Sequence, residues 1–215
     1  MTQQEKLIKI LSNPNLWIRS FLKITDKSGK VVPFVLNPQQ QELLNNLDKY
    51  NIILKSRQLG ITSVACALSL YYTHVEKNCC CILMSYSIDS ARGIFEKLKQ
   101  LYKEIPNGIR CEKKFNNRQE LAFENGSKIV VATCGSKDVS RGMTVKFIHL
   151  SEYGFFNSDR AKKNLLALEQ SLRPDGKIII EATANELNHF SDLWGKAEKQ
   201  ECLYKPFFFS WIDDK

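Results

Sequence analysis

Residues 51–63, Asn-Ile-Ile-Leu-Lys-Ser-Arg-Gln-Leu-Gly-Ile-Thr-Ser, constrain the fold more than any other stretch of this chain. The apolar residues 52–54 suit a buried strand, and a polar turn at 55–60 follows them. From Thr62 onward, hydroxyl and then apolar residues predict a helix. A strand, a tight loop and a helix in this order are typical of a phosphate-binding loop, in which backbone N–H groups and the positive end of the helix dipole face an anion.

The loop meets the phosphate-loop consensus G-x-x-x-x-G-K-[ST] only in part. Gly60 and Thr62 match the second glycine and the hydroxyl, whereas Ser56 replaces the first glycine and Ile61 replaces the lysine. Lys55, directly before the loop, is close enough to take the place of the missing lysine, because a point charge on a long stem can reach across the loop. The alternative is that Lys55 is a strand-end lysine that points to solvent.

Apolar strands alternate with helices along the chain, which predicts a doubly wound α/β domain with a mostly parallel central sheet. Polar stretches follow the predicted strands at Leu54, Leu150 and Ile180. The carboxyl ends of parallel strands share one edge of a sheet, where ligands bind, so we expect these stretches to meet. Helices are predicted at 7–21 (with a break at 13–14), from residue 38 onward, and at 62–72, 90–102 and 165–172. Strands are predicted at 52–54, 79–85, 145–150, 177–181 and 204–211. Hairpins are predicted around 26–30 and at 121–133, and a turn at 173–176.

Length and composition indicate one globular domain, with 215 residues of which 43% are hydrophobic and 25% charged. We expect a lead-in at 1–35 and a core at 36–215. No apolar run approaches the roughly 18 residues that a membrane span needs. The seven cysteines form no C-x-x-C pair, so neither a zinc site nor a disulfide framework is predicted.

The net charge of +8 permits a polyanionic partner without requiring one. Solvated lysines explain the charge equally well. The lysines that would form a basic surface are Lys97, Lys99, Lys103, Lys113, Lys114, Lys162 and Lys163.

Phosphoryl transfer requires that the triphosphate is held, that its charge is neutralised and that a water is activated in line. The loop at 56–61 can supply backbone N–H groups, and the Thr62 hydroxyl is a candidate Mg²⁺ ligand. Arg57 lies inside the loop, where it either spreads charge over the γ-phosphate or only braces the loop.

A second candidate is the apolar strand 147–150, which ends in Ser151 and Glu152. An acid at this position can polarise the attacking water as a general base. Ser151 stands where an Asp is expected, so metal coordination there is weaker or passes through water. The alternative for Glu152 is an ordinary surface acid, and we expect His149 to be structural.

Two further groups of polar residues are weaker signals. Thr183 and Asn185 follow a buried strand and could sense a γ-phosphate or a bound water, or could simply form a strand-end turn. The glutamines at 39–41 open a helix whose first residue is Pro38, and an amide there could pair with an adenine edge.

Four short motifs in this order resemble the N-terminal ATPase domain of the large terminase subunit, the DNA-packaging motor of tailed bacteriophages. Residues 34–40 are similar to its adenine-recognition motif, best aligned on Gln40, and residues 55–62 to the variant Walker A with the lysine at the front. The segment 140–142 precedes a strand that ends in 151–156, as in these proteins. Residues 182–185 are similar to the coupling motif that links hydrolysis to movement.

The resemblance implies an additional-strand, RecA-like P-loop ATPase that uses ATP and Mg²⁺. It implies that Glu152 and Arg57 are catalytic, that Thr183 and Asn185 couple hydrolysis to movement, and that Arg141 is a candidate for contact across a subunit boundary. Thr62 and Ser151 would hold the metal. The implied ATP-binding residues are Gln40, Lys55, Ser56, Arg57, Gln58, Leu59, Gly60, Ile61, Thr62 and Ser63.

The family also implies the setting of the reaction. We expect ATP-driven translocation of double-stranded viral DNA into a prohead, with the portal protein and the small terminase subunit as partners. We expect the chain to form a homo-oligomeric ring on the portal, in the cytoplasm of the infected bacterial host, and to have no membrane partner. The C-terminal nuclease domain of the family is expected to be absent from this chain.

Two other functions remain open at the level of sequence. One is a helicase-like or other nucleic-acid-stimulated ATPase with the same core. The other is a non-catalytic, basic nucleic-acid or assembly module with a degenerate nucleotide pocket, which Ile61 and Ser151 favour. Lys55, Glu152 and Asn185 argue against such decay.

Overall fold

Helices and strands alternate along the computed structural model, which describes residues 2–26, 28–117, 119–134, 139 and 142–210. The helices are α1 (Gln3–Leu11), α2 (Pro14–Phe21), α3 (Pro38–Asn46), α4 (Ile61–Val75), α5 (Ile88–Glu104), α6 (Ser158–Ser171) and α7 (His189–Glu198). The strands are β1 (Lys23–Thr25), β2 (Val31–Pro33), β3 (Tyr50–Lys55), β4 (Cys80–Ser85), β5 (Lys113–Asn116), β6 (Glu120–Phe123), β7 (Lys128–Thr133), β8 (Val145–Ser151), β9 (Leu172–Thr183) and β10 (Lys205–Phe209). A short 3-10 turn, Tyr153–Phe155, follows β8.

Eight strands form the central sheet in the order β10-β3-β9-β8-β4-β7-β6-β5. The strands from β10 to β7 are parallel to their neighbours, and β6 and β5 are added antiparallel at one edge. β1 and β2 pair separately as the predicted hairpin. The expectation of a mostly parallel, RecA-like α/β sheet is confirmed. β9 lies between β3, which leads into the loop at 56–60, and β8, which leads into Glu152.

Both faces of the sheet are covered, because successive strand residues point to opposite sides. Ile53 and Ile179 join a core cluster that includes the apolar faces of α2, α4 and α5. Their neighbours Ile52 and Ile180 join a second cluster with α6 and α7. Eleven of the fifteen residues of α4 are buried, which fixes this helix, and with it the loop before it, against the sheet.

The N-terminal segment packs into the first of these clusters. The fully buried Trp17 ring lies 5.8 Å from both the Phe21 and the Tyr71 rings, in edge-to-face geometry. The Tyr71 hydroxyl donates a hydrogen bond of 3.0 Å to the Leu11 carbonyl. The predicted break between α1 and α2 is confirmed, and Asn13 caps α2 just before Pro14.

The predicted turn at 173–176 is wrong, because these residues lie within β9. Val145 pairs with Leu172 and Phe147 with Lys177, so the intervening residues of β9 bulge out of the ladder. Arg-Pro-Asp-Gly has turn chemistry, but ion pairs hold it in place here. Asp175 accepts from Lys146 at 2.8 Å, and Arg173 donates to Asp175 at 2.9 Å.

Glu76, at the C-cap of α4, ties the end of that helix to the same bulge. Its carboxylate contacts Lys146 at 2.8 Å and Arg173 at 3.0 Å.

The sequence patterns missed β5 and α7. In α7, Asn188 and Ser191 form a capping box, which is the signal for a helix start that the sequence contains. None of the described helices is both long enough and apolar enough to cross a membrane.

Candidate active site

The register of the parallel strands brings the three predicted polar stretches to one edge of the sheet, as expected. Lys55 at the end of β3 is level with Thr183 at the end of β9. On the other side of β9, Ser151 at the end of β8 is level with Glu181. The side chains at the ends of three adjacent strands therefore converge in front of the loop that leads into α4.

The loop at 56–60 leaves the N-terminus of α4 open. Gly60 is the N-cap residue, with a left-handed φ of 70°, and among the described residues no side chain caps this end of the helix. Gln58 also has a positive φ, of 67°, and the Ser56 N–H donates to the Phe209 carbonyl at 2.9 Å. First-turn N–H groups without a side-chain partner can donate to an anion, and the helix dipole favours negative charge there.

Gln40 shapes this loop from α3. Its side-chain N–H donates to the Leu59 carbonyl at 2.9 Å, and its side-chain carbonyl accepts from the Asn37 N–H at 3.2 Å. A Cβ atom at Gly60 would come within 2.6 Å of the Gln40 amide nitrogen. Position 60 therefore favours glycine for its φ, and a larger residue there would also displace the Gln40 amide from the Leu59 carbonyl.

Lys55 is buried and does not point to solvent. Its Nζ lies 2.9 Å from Glu152 Oε1 and 2.9 Å from Glu181 Oε2, and its side chain is 7% exposed. Burial pushes the pKa of Lys55 down, but the charges of Glu181 and Glu152 outweigh burial and raise the pKa above its ordinary value. Lys55 is therefore a permanent ammonium shared between two carboxylates.

Glu152 is oriented by contacts on both of its carboxylate oxygens. Oε1 accepts from Lys55, and Oε2 accepts from the Thr183 N–H at 3.1 Å and from the Thr183 hydroxyl at 3.2 Å. The residue has a left-handed φ of 54°, an uncommon conformation for a non-glycine residue that costs about 1–3 kcal/mol. The side chain remains 25% exposed, so water can reach it.

Glu181 is a site residue that the sequence patterns did not single out. It is fully buried, and its Oε1 accepts from the Thr62 and Ser151 hydroxyls, each at 3.0 Å. His149 Nε2 lies 3.2 Å from the same oxygen. Burial would raise the pKa of Glu181, but His149 and Lys55 outweigh it, and the pKa lies below its usual range. A charged residue after three consecutive isoleucines was the available signal, because a buried charge needs a partner.

His149 is fully buried in β8, as its expected structural role requires, but its ring also contacts the site through Glu181. The remaining predicted residues lie around the network that Lys55, Glu152 and Glu181 form.

Arg57 and Gln58 are exposed in the loop, and Asn185 is exposed beyond the end of β9. Leu59 and Ile61 are buried in the first core cluster, so the residue at the usual lysine position anchors the loop to the core. The Ser63 hydroxyl accepts from Lys97 Nζ at 2.9 Å. Arg141 lies outside the described residues.

The oxygen atoms at this edge fit a magnesium ion held jointly with phosphates. Thr62, Ser151, Glu152 and Glu181 offer hydroxyl and carboxylate oxygens, the ligands that Mg²⁺ prefers. Within the described ranges, no group of three or more His, Cys, Asp or Glu side chains forms a preformed metal cage. This donor set suits the usual magnesium site, which takes one or two carboxylates and completes its shell with phosphate and water.

The sheet order and the flanking helices define an α/β domain that resembles RecA-like domains. The sequence matches no family model. The structure is similar to the large terminase of bacteriophage HK97, with a TM-score of 0.72 and 15% identity over 89% of this chain and 42% of that chain.

Two further solved structures are similar over most of this chain. The ATPase domain of the Thermus phage P74-26 large terminase matches with a TM-score of 0.62 and 16% identity, over 83% of this chain and 81% of that chain. A large terminase from a thermophilic bacteriophage, in complex with ADP, matches with a TM-score of 0.61 and 13% identity, over 84% of this chain and 46% of that chain.

The chain therefore has the fold of the phage large terminase ATPase domain, which confirms the resemblance found in the sequence motifs. It spans 42% of the HK97 protein and 46% of the ADP-bound terminase.

Proposed function

We propose that this chain hydrolyses ATP with Mg²⁺ and that hydrolysis drives the packaging of double-stranded viral DNA into a prohead. The observation that carries the proposal is the network of Lys55, Glu152 and Thr183 beside the uncapped N-terminus of α4. It supplies a cation, a carboxylate and N–H donors at one sheet edge, which are the parts that phosphoryl transfer needs. The fold of the large terminase ATPase domain supports the choice of packaging as the work performed.

The roles follow from position. Residues 55–63 surround the phosphates, with the N–H groups of the loop as donors and Lys55 as the charge that the consensus lysine usually supplies. Mg²⁺ would be held by Thr62, with Ser151 acting directly or through water, and would neutralise charge on the phosphates. Arg57, exposed in the loop, extends toward the γ-phosphate and stabilises negative charge there.

Glu152 acts as the general base. Its carboxylate takes a proton from a water molecule as the water oxygen bonds to the γ-phosphorus and the bond to the bridging oxygen breaks, releasing ADP and phosphate. Thr183 keeps the second oxygen in place, so that Oε1 faces the site. For Lys55 to bind phosphate, it must exchange at least one of its two carboxylate partners.

Coupling to movement runs through Thr183 and Asn185. Thr183 donates two hydrogen bonds to Glu152, so a movement of the Glu152 carboxylate would displace the end of β9. The segment 184–188 leads from there to α7, and Asn185 and the exposed Leu187 lie on this segment. Gln40, through its bond to Leu59, links adenine recognition at α3 to the same loop. Arg141 is the proposed residue for contact with a neighbouring subunit.

The DNA partner is supported by charge. One open depression between α5 and β5 is lined by four cations and one acid: Lys99, Lys103, Arg110, Lys113 and Glu112, with Tyr102 and Asn107. Burial, and then the charges of Arg110 and Lys99, lower the pKa of Lys113, as expected where cations crowd together. Duplex binding there is sequence-independent and weakens steeply with salt. The portal, the small terminase subunit and a homo-oligomeric ring are the remaining proposed partners.

Nucleotide binding and turnover of the Glu152→Gln variant test the proposal. The parent chain should bind ATP with Mg²⁺ in calorimetry and release phosphate, and the variant should bind as tightly but lose about 10²-fold or more in turnover. Equal turnover would contradict the general-base role.

Stimulation by DNA separates the related functions. A packaging motor should respond to blunt duplex DNA, whereas stimulation by single strands alone would favour a helicase-like ATPase. ATP binding without hydrolysis under all of these conditions would favour a non-catalytic assembly module.

A further inference from the structure

We propose that Glu181 supplies, from β9, the metal-site carboxylate that is missing at Ser151 in β8, and that it makes nucleotide binding depend on a divalent cation. The inference rests on the proposed ATPase function, because it assigns a residue to the Mg²⁺ at that site. It concerns the binding step and not the general base, which stays with Glu152.

Geometry places the Glu181 carboxylate where a carboxylate at position 151 would reach. Ser151 and Glu181 are level with each other on adjacent parallel strands, and the Ser151 hydroxyl donates to Glu181 Oε1 at 3.0 Å. An Asp side chain extends one atom further than Ser, so its oxygens would lie beside the Glu181 carboxylate. Glu181 thus brings a carboxylate to the Thr62 hydroxyl, at 3.0 Å, from β9, the strand that lies between β3 and β8.

Charge balance provides the link to the cation. Lys55 contributes one positive charge, and Glu152 and Glu181 contribute two negative charges within 2.9 Å of it. When Lys55 turns toward phosphate, Glu181 loses its ammonium partner and keeps only His149 and the Thr62 and Ser151 hydroxyls, all on Oε1. A buried carboxylate that loses its ammonium partner is costly, so Glu181 favours states in which another cation stands beside Thr62. By linkage, nucleotide affinity and divalent-cation affinity must then rise together.

A purely structural ion pair is the competing explanation. In that case Lys55 and Glu181 only hold β3 and β9 together, and loss of Glu181 lowers stability without changing the dependence on metal. The two explanations differ in one measurable ratio, the affinity for ATP with Mg²⁺ divided by the affinity for ATP with EDTA.

The experiment measures this ratio by fluorescent-nucleotide titration for the parent, Glu181→Gln, and the double variant Glu181→Gln/Ser151→Asp, with circular dichroism as the check on folding. The parent should prefer ATP with Mg²⁺ by about tenfold or more, and Glu181→Gln should lose most of that preference. The double variant should regain it, because Asp at 151 restores the carboxylate and Gln at 181 can donate to it. Glu76→Gln, which removes a carboxylate from the ion-pair cluster at the other end of α4, should keep the parent ratio.

A folded Glu181→Gln variant with the parent ratio would overturn the proposal, and so would a double variant that folds without regaining the ratio. If Glu181→Gln does not fold, Ser151→Asp alone decides the question through Mn²⁺ binding followed by electron paramagnetic resonance. With Glu181 intact, two carboxylates then face Thr62, and Mn²⁺ should bind about tenfold tighter than to the parent. Unchanged Mn²⁺ binding would overturn the assignment.

Failure of the proposed function has a different signature. A parent chain that binds no ATP with Mg²⁺ contradicts the ATPase proposal, while the Mn²⁺ comparison, made without nucleotide, still tests whether Glu181 contributes to a metal site.

Discussion

Replacing Lys55 with methionine tests the buried charge network directly. Methionine keeps much of the stem and removes the ammonium, which leaves the fully buried Glu181 without its ion-pair partner and takes one contact from Glu152. Removing one member of a buried ion pair costs about 3–5 kcal/mol, because the remaining charge is left uncompensated. Typical domain stabilities are about 5–15 kcal/mol, so the variant should fold with a large loss of stability.

Urea unfolding followed by circular dichroism measures this loss, and Lys146→Met is the matched control. Lys146 is similarly buried, with 9% of its side chain exposed, and also contacts two carboxylates, but Glu76 and Asp175 are 30% and 55% exposed. Water can solvate those carboxylates, so the control should lose only about 1 kcal/mol. The double variant Lys55→Met/Glu181→Gln should recover most of the loss, because no buried charge is then unpaired.

Acidification should reduce the difference in the free energy of unfolding between Lys55→Met and the parent. In the parent the pKa of Glu181 is lowered, so its contribution to stability is present above the unfolded value and is lost as the pH falls through the folded pKa. Without Lys55, burial raises that pKa relative to the parent, and protonation relieves the variant by up to about 1.4 kcal/mol per pH unit. A loss below about 1 kcal/mol, equal at pH near 7.5 and near 5.5, would refute the buried network.

Three further outcomes are expected. Gly60→Ala should destabilise the chain by about 1–2 kcal/mol in urea unfolding and weaken ATP binding, because position 60 has a left-handed φ and its Cβ would meet Gln40. The control Gly93→Ala, at a position on α5 with open space around it, should be neutral or stabilising. Thr183→Val should lower the turnover number about tenfold with the Kd for ATP unchanged, because only the orientation of Glu152 is lost. Lys103→Ala and Lys113→Ala should each reduce the salt slope of duplex binding by about one in fluorescence anisotropy, and an unchanged slope would remove DNA from this surface.

The sequence was sufficient to place a site residue where that residue directly follows an apolar strand. Lys55 and Glu152 each stand at the end of an apolar run, so their positions at the carboxyl edge followed from strand periodicity alone. The turn at 173–176 was mispredicted because its local chemistry favours a turn, while pairing with β8 and the ion pairs of Asp175 decide the outcome.

Glu181 and Gln40 could not be placed without the fold. Whether a strand carboxylate faces the site depends on the register of β9 against both neighbours, which no local pattern contains. The adenine-recognition role of Gln40 stays a prediction, and its contact with the Leu59 carbonyl, 19 residues along the chain, was not predicted. Such tertiary contacts arise from packing between elements, and the sequence only limits which side chains are available for them.

The helix α4 and the strand β9 are fastened to each other at both ends. At one end Thr62 donates to Glu181, and at the other Glu76 pairs with Arg173. Thr62 and Glu76 are fourteen positions apart along α4 and its C-cap, a span of about 21 Å. Sliding of the helix along the strand would break polar contacts at both ends together, so the pair should behave as one rigid lever. Rotation during a catalytic cycle should then concentrate in the short connections at 56–60 and 184–188. Of these two, only 184–188 lies outside the proposed phosphate-binding loop, so substitutions that stiffen it should impair the proposed coupling more than ATP binding.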